Sequence, residues 1–151
     1  MNIKERLKEM GITLPPPPSP AGSYIPAIKT GNLIFLSGVL PFQDGKLPIT
    51  GRVDKEVTID EAFRLARIVV LNALSIVDAE FGLQNISRCI RINGFVASSE
   101  GFYKQPQVLN GASDFLKDVF GEAGRHTRTA IGAFSLPLNS PVEIDFVFEA
   151  V

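Results

Sequence analysis

Val142-Glu143-Ile144-Asp145-Phe146-Val147-Phe148-Glu149-Ala150-Val151 closes the chain, and its alternation decides the architecture. Val142, Ile144, Phe146 and Phe148 take one face of a strand, and Glu143, Asp145 and Glu149 take the other. The apolar face belongs against a core. The acidic face, mixed with Val147, is too polar for a core and too regular for mere solvent, so it points to an oligomer interface that holds functional groups. Just upstream, Arg125-His126-Thr127-Arg128-Thr129-Ala130-Ile131-Gly132 opens another strand, Arg128 to Phe134, joined to the last one through Leu136 to Ser140. Arginine grips a carboxylate through two parallel hydrogen bonds. A carboxylate nearby can position or activate a water. A register pairing Arg128 with Asp145 sets Glu143 diagonally beside Arg128 on the same face. The plainer reading of such a pair is a surface ion pair of small worth.

Working outward, the remaining elements follow from spacing and punctuation. Residues 1–10 carry Ile3, Leu7 and Met10 among charges, a short amphipathic helix that Gly11 ends. Pro15-Pro16-Pro17-Pro18-Ser19-Pro20 forces a polyproline II arm, read as a stiff spacer. Tyr24–Ile28 and Leu33–Ser37 flank Thr30-Gly31-Asn32, a hairpin signal. Asp44-Gly45 and Gly51 mark a turn-rich stretch with room for one short strand at Leu47–Ile49. Thr58-Ile59-Asp60-Glu61 is a capping box, and Ala62, Phe63, Ala66, Val69, Val70, Ala73, Leu74 and Val77 then keep helical spacing. The spacing predicts a helix from Ile59 to Phe81, stopped by Gly82, with Arg64 and Arg67 on a solvated face. Ile86 to Ala97 reads as a long strand with Arg88 and Arg91 on opposite faces. Pro106 opens a second helix that runs to Phe120, before Gly121.

The resulting order is β, β, short β, α, β, α, β, β, a two-layer α+β domain with both long helices on one face of the sheet. Residues 1–20 form an N-terminal helix and arm, and residues 21–151 the domain proper.

Composition narrows the chemistry. The chain has 151 residues, 45% hydrophobic and 21% charged, and a net charge of −1. That suits one ordinary domain and offers no basic field for a phosphate backbone, so nucleic acid is disfavoured as a partner. There is one cysteine, Cys89, and one histidine, His126. They exclude an internal disulfide and cannot supply the three or four ligands of a nitrogen–sulfur metal site in one subunit. His126 stands between Arg125 and Arg128, whose charges disfavour its protonated form. It reads as a loop or strand-edge residue and not as a general base. No apolar run reaches membrane-spanning length, and residues 1–6 lack the core of a secretory signal, so a cytoplasmic, membrane-free protein is expected.

The order of landmarks resembles the Rid (YjgF) family of small trimeric enamine/imine deaminases, whose members are often labelled endoribonuclease L-PSP. The landmarks are Gly22-Ser23-Tyr24, Gly31-Asn32-Leu33-Ile34-Phe35-Leu36-Ser37-Gly38, the long helix after Thr58, Arg128-Thr129 and Pro141-Val142-Glu143-Ile144. The resemblance runs from about Ser23 to Val151. It implies a chorismate-mutase-like fold with a mixed sheet, a homotrimer packed sheet against sheet, and a cleft at each subunit boundary. It also implies roles. Arg128 binds the substrate carboxylate, Glu143 positions the hydrolytic water, and Tyr24, Ser37 and Asn110 line the substrate site. Each of the last three also has a plain structural reading: Tyr24 at a subunit boundary, Ser37 in a turn, Asn110 as a polar helix position. Two positions depart from the family pattern. Val39 stands where its deaminases commonly have glutamine, and Ala130 where they often have cysteine.

The leading functional expectation is hydrolysis of a small enamine or imine acid, of the 2-aminoacrylate or 2-iminobutyrate type, to a 2-keto acid and ammonia, without metal or organic cofactor. The alternative is a trimer that binds a small carboxylate without turnover, which the two departures favour. A ribonuclease is disfavoured by the near-neutral charge, the lone histidine and the lack of a metal-ligand cluster.

Overall fold

A computed structural model describes residues 2–20 and 22–151. Five strands, β1 (Ala27–Thr30), β2 (Leu33–Leu36), β3 (Ile86–Ala97), β4 (Thr127–Ala133) and β5 (Val142–Ala150), form one sheet in the order β1-β2-β5-β3-β4. Three helices accompany them: α1 (Ile3–Glu9), α2 (Ile59–Phe81) and α3 (Gln105–Phe120). β5 lies at the centre, antiparallel to both β2 and β3, while β3 and β4 run parallel. This is the two-layer α+β architecture that the pattern predicts, in the chorismate-mutase-like form that the resemblance implies.

The long helices form where the caps and stripes place them. The Thr58 hydroxyl accepts the Glu61 amide, the Glu61 carboxylate returns to the Thr58 amide, and α2 runs to Phe81 before Gly82. Leu65, Val69, Val70 and Leu74 of α2 and Leu109, Leu116 and Val119 of α3 are buried against Ile92, Ile144, Phe146 and Phe148 of the sheet. Phe148 stacks on Phe146 and Phe120, with centroids 5.7 and 6.1 Å away. Each such side chain contributes about 1.5–3 kcal/mol on full burial. α2 and α3 touch closely at Gly111, where a Cβ would run into the backbone carbonyl of Phe63. Arg64 and Arg67 are both exposed as expected, and Arg67 also lays its guanidinium over the Phe115 ring, 4.5 Å from the centroid.

Three local expectations are corrected. Residues 47–49 form no strand, because Pro48 has no N–H to offer a ladder; only a bridge between Gln43 and Lys46 closes the Asp44-Gly45 turn. Arg88 and Arg91 share one face instead of opposing each other. Register shifts between Ile86 and Arg88 and between Cys89 and Arg91 insert extra residues into β3, so that Arg88 lies opposite Glu149 and Arg91 opposite Val147. Most important, β4 does not pair with β5. The α3 crossover returns the chain parallel to β3, and the Pro137–Asn139 3₁₀ turn then carries it over β3 to reach the centre.

The N-terminal segment is docked on the domain. Ile3 and Leu7 are buried, Lys4 pairs with Asp78 at 3.0 Å, and Arg6 Nε donates to the Asp118 carbonyl. Ser75 Oγ donates to the Pro15 carbonyl at 2.8 Å, fixing the arm along α2.

Candidate functional site

Glu143 lies on the sheet face away from the helices, where its neighbours on β5 are Asp145, Val147 and Glu149. At its end of β5 it borders a cavity of about 90 Å³ that Tyr24 and Ser37 also line. Pro18, Ser19 and Pro20 of the arm form one wall, and Leu40 and Phe42 another. The second wall is pinned by Asn72, whose buried amide donates to the carbonyls of Leu40 and Phe42 at 3.0 and 2.9 Å. The volume corresponds to about three waters in bulk liquid. Three of the residues named from sequence thus meet in one place.

The Glu143 carboxylate rests directly over Gly38. A Cβ at position 38 would overlap it, so only glycine leaves the space. The carboxylate is half-buried and makes no hydrogen bond among the described residues. Burial, with the Asp145 charge as a smaller cause, pushes its pKa above the ordinary glutamate value. Asp145 is differently placed. It accepts Asn93 Nδ2 at 2.8 Å, and the Asn93 side-chain oxygen accepts Arg91 Nε at 3.1 Å. Two neighbouring acids on one strand therefore differ: one is bonded, the other poised. Ser37 spends its hydroxyl proton on the Ile25 carbonyl at 2.8 Å, so it serves the turn and its oxygen alone faces the cavity.

Arg128 is elsewhere. Its register partner on β3 is Ile92, itself opposite Phe146, so Arg128 belongs to the helix side of the sheet. Glu143 lies across β3 on the other side, opposite Phe95. The diagonal Arg128–Glu143 contact expected from consecutive strands is therefore absent within one chain, because β3 separates β4 from β5. Arg128 instead reaches α3, donating through Nη1 to Ser113 Oγ at 2.9 Å and through Nη2 to the Pro106 carbonyl at 3.3 Å. Pro106, Asn110 and Ser113 follow one helical stripe at i, i+4 and i+7, which sets half-buried Asn110 between the two groups that hold Arg128. No carboxylate among the described residues forms an ion pair with Arg128. The rest of its guanidinium donors are open to an anion.

Sequence reading missed Ser113. A lone serine in a helix matches no motif; the signal was its place on the Pro106–Asn110 stripe. His126 sits just before β4, as expected. Its Nδ1 lies 2.6 Å from the Gly124 carbonyl and its Nε2 2.9 Å from Ser113 Oγ. Burial first, then the charges of Arg128 and Lys117, hold its pKa below the ordinary value, outweighing the Gly124 bond. Val39 is buried, 3% exposed, and its backbone pairs with Ile144, so it gives the cavity an apolar wall where an amide would be polar. Cys89 is also buried, and burial pushes its thiol up to about 12, which removes it as a nucleophile at neutral pH. No group of three or more His, Cys, Asp or Glu side chains among the described residues is arranged to hold a metal ion. No helix among them is long and apolar enough to cross a membrane.

Comparison with known proteins places the chain in a family. Protein TCP17 of Trypanosoma cruzi is 37% identical over 149 residues, 97% of this chain and 93% of its own. The crystal structure of Atu1372 from Agrobacterium tumefaciens, a protein of unknown function, superposes with a TM-score of 0.89 at 44% identity, covering 99% of this chain and 92% of that one. A structure from Shewanella oneidensis MR-1 gives 0.93 at 31% identity, with 99% of both chains covered. More distantly, a protein named 2-iminobutanoate/2-iminopropanoate deaminase from Dermatophagoides farinae is 26% identical over 137 residues, 90% of this chain and 92% of its own. Residues 4–150 match the YjgF/chorismate mutase-like family, whose description also carries the word endoribonuclease. With that match spanning α1, the arm and the whole sheet, the chain belongs to the YjgF/chorismate mutase-like family.

Proposed function

We propose that the chain hydrolyses small enamine or imine acids to 2-keto acids and ammonia, in clefts where the Glu143 cavity of one subunit meets the Arg128 shelf of the next. The observation that carries this reading is the state of Glu143: half-buried, without a hydrogen-bond partner among the described residues, its pKa raised, beside a cavity of about 90 Å³. A general base works best with a pKa raised toward the working pH, and perturbed carboxylates in clefts are where such chemistry concentrates. Arg128 supplies a half-buried cation with open donors and no carboxylate partner among the described residues. Since the two lie on opposite sides of one sheet, one substrate can touch both only across a boundary between copies.

An enamine acid first takes a proton at carbon and becomes the iminium, the protonated form of the imine. Arg128 holds the carboxylate and draws charge from the electrophilic imine carbon. Glu143 accepts a proton from water as the oxygen adds to that carbon. The carbinolamine then takes a proton on nitrogen, the C–N bond breaks, and ammonia leaves with the bonding pair. The keto group forms as the hydroxyl proton departs. Every atom comes from substrate and water, so no cofactor enters.

The open sheet face supports a homotrimer. Phe35 and Ile131 are exposed on it, and Val147 and Phe95 lie beside the polar network of Arg91, Asn93 and Asp145. Light scattering should give three chain masses at micromolar concentration, and a monomeric mass would sink the shared cleft. Freshly generated 2-iminobutyrate should be turned over faster than in buffer, with 2-ketobutyrate and ammonia released in equal amounts. The buried Val39 favours a second reading, binding of a small carboxylate without turnover; 2-ketobutyrate binding with no rate enhancement would establish it.

A further inference from the structure

Arg128, Ser113, His126 and Gly124 form a continuous chain of hydrogen bonds, and with the His126 ring neutral only one assignment of protons satisfies it. The Gly124 carbonyl is an acceptor, so His126 Nδ1 carries hydrogen and donates to it at 2.6 Å. In the neutral ring, Nε2 is then an acceptor, and the Ser113 hydroxyl donates to it at 2.9 Å. The Ser113 oxygen is left with its lone pairs, and it accepts Arg128 Nη1 at 2.9 Å. Ser113 is only 8% exposed, which leaves its hydroxyl little choice of water. Each link has one donor and one acceptor, and every donor points back from the guanidinium toward the end of α3.

From this we infer that His126 and Ser113 are positioning residues for Arg128, a relay that fixes the guanidinium in one orientation for a substrate carboxylate. The inference rests on the reading of Arg128 as the carboxylate anchor. An arginine side chain loses much rotamer freedom when it is held, and a two-point grip needs its plane fixed beforehand. Pro106 pins one arm of the fork through a backbone carbonyl. Ser113 pins the other through an oxygen lone pair, and donating its proton to His126 fixes the direction in which that lone pair points.

The relay is sensitive to the charge on His126. Protonation turns Nε2 into a donor, so the Ser113 oxygen then faces donors from both sides and its own hydrogen loses its acceptor. A second positive charge also appears beside Arg128. The charged groups around the ring are Arg128 on β4, Lys117 on α3, which pairs with Asp114 at 3.3 Å, and the exposed Arg125–Glu122 pair on the turn after α3. The nearest of them are cationic and oppose protonation, which keeps the relay set through neutral pH. It loosens in acid.

The test is 2-ketobutyrate affinity and 2-iminobutyrate kinetics as a function of pH, with affinities measured in a Glu143→Gln background so that Glu143 does not titrate. Ser113→Ala should weaken 2-ketobutyrate roughly three- to tenfold, the range of one lost hydrogen bond, and should raise KM while leaving kcat nearly alone. With Arg128 in place, affinity should fall in acid, at a pH below the ordinary histidine pKa, because burial and the Arg128 charge hold the His126 pKa down. In His126→Gln, which offers an amide that does not titrate, that acid fall should vanish. Ser113→Ala combined with His126→Phe should be no weaker than either alone, since the relay acts as a unit. Full affinity in Ser113→Ala, or an acid fall that persists in His126→Gln, overturns the relay. If Ser113→Ala proves unstable, the pH profile of His126→Gln decides by itself. Arg128→Lys separates the two ideas: unchanged affinity there overturns the anchor reading and the relay with it, whereas weakened affinity there with intact relay variants overturns the relay alone.

Discussion

The Glu143 cavity and the Arg128 shelf hold their charged groups by opposite means. Glu143 is placed by backbone alone: a strand on one side, Gly38 underneath, and no hydrogen bond from any described residue. Arg128 is placed by bonds, to Ser113 and Pro106, and through Ser113 to His126. The difference matches the work each would do. A base must stay reactive, and every donor that bonded it would lower its pKa. An anchor must stay still, and every bond that orients it removes a motion that binding would otherwise have to stop.

The largest expected effect comes from removing the poised charge. Glu143→Gln should lower kcat for 2-iminobutyrate by roughly a hundredfold or more, the usual loss of a general base, with 2-ketobutyrate affinity little changed. Equal losses in both would mean that Glu143 serves binding, and the contrast between the regions would collapse. Gly38→Ala keeps the charge but moves it, since the new methyl takes the carboxylate's place. A displacement of about an ångström suffices for a ten- to hundredfold loss in rate, and steady-state kinetics with a circular dichroism check of folding would show it. Arg128→Lys should weaken 2-ketobutyrate by about 1.5–3 kcal/mol, as a charge-assisted contact does, measured by titration calorimetry. Unchanged affinity would return Arg128 to a structural role on α3.

The smallest effect sharpens the comparison through stability. Because the fold raises the Glu143 pKa, the neutral acid is the form it prefers. The stability of that form is fully present below the ordinary glutamate value of about 4.3 and is lost as pH rises through the folded value. A glutamine side chain at this position is neutral throughout and does not lose it, so Glu143→Gln should melt higher than wild type at pH 7 and level with it near pH 4. A variant that melts lower at pH 7 would mean that the carboxylate has a stabilising partner.

Much of this was legible beforehand, for physical reasons that can be named. Thr58 and Glu61 announce α2 because capping is local, and Val142 to Phe148 announce β5 because one buried face forces alternation. Tyr24, Ser37 and Glu143 were named from resemblance, and they converge on one cavity. The neighbour of β4 was not legible, because adjacency in sequence favours β5 while the α3 crossover delivers β4 to β3. Everything inferred about Arg128 meeting Glu143 in one chain rested on that pairing and fell with it. The bulges in β3 were hidden for a related reason. An extra residue leaves no mark in a stretch already rich in isoleucine, yet it moves Arg88 to the side of Arg91.

The proline arm has a consequence in entropy. A chain that folds onto a surface normally gives up about 1–2 kcal/mol of backbone freedom per residue. Pro15 to Pro18 have most of that freedom removed before folding begins. Their docking along α2 needs few bonds, and one hydroxyl from Ser75 is among the few it has. Prolines also bring no N–H of their own, so this wall of the cavity presents carbonyls and rings and no backbone donors at Pro18 and Pro20. Beside a base that works by having no donor bonded to it, Pro18 and Pro20 are two wall positions whose backbone has no hydrogen to give it.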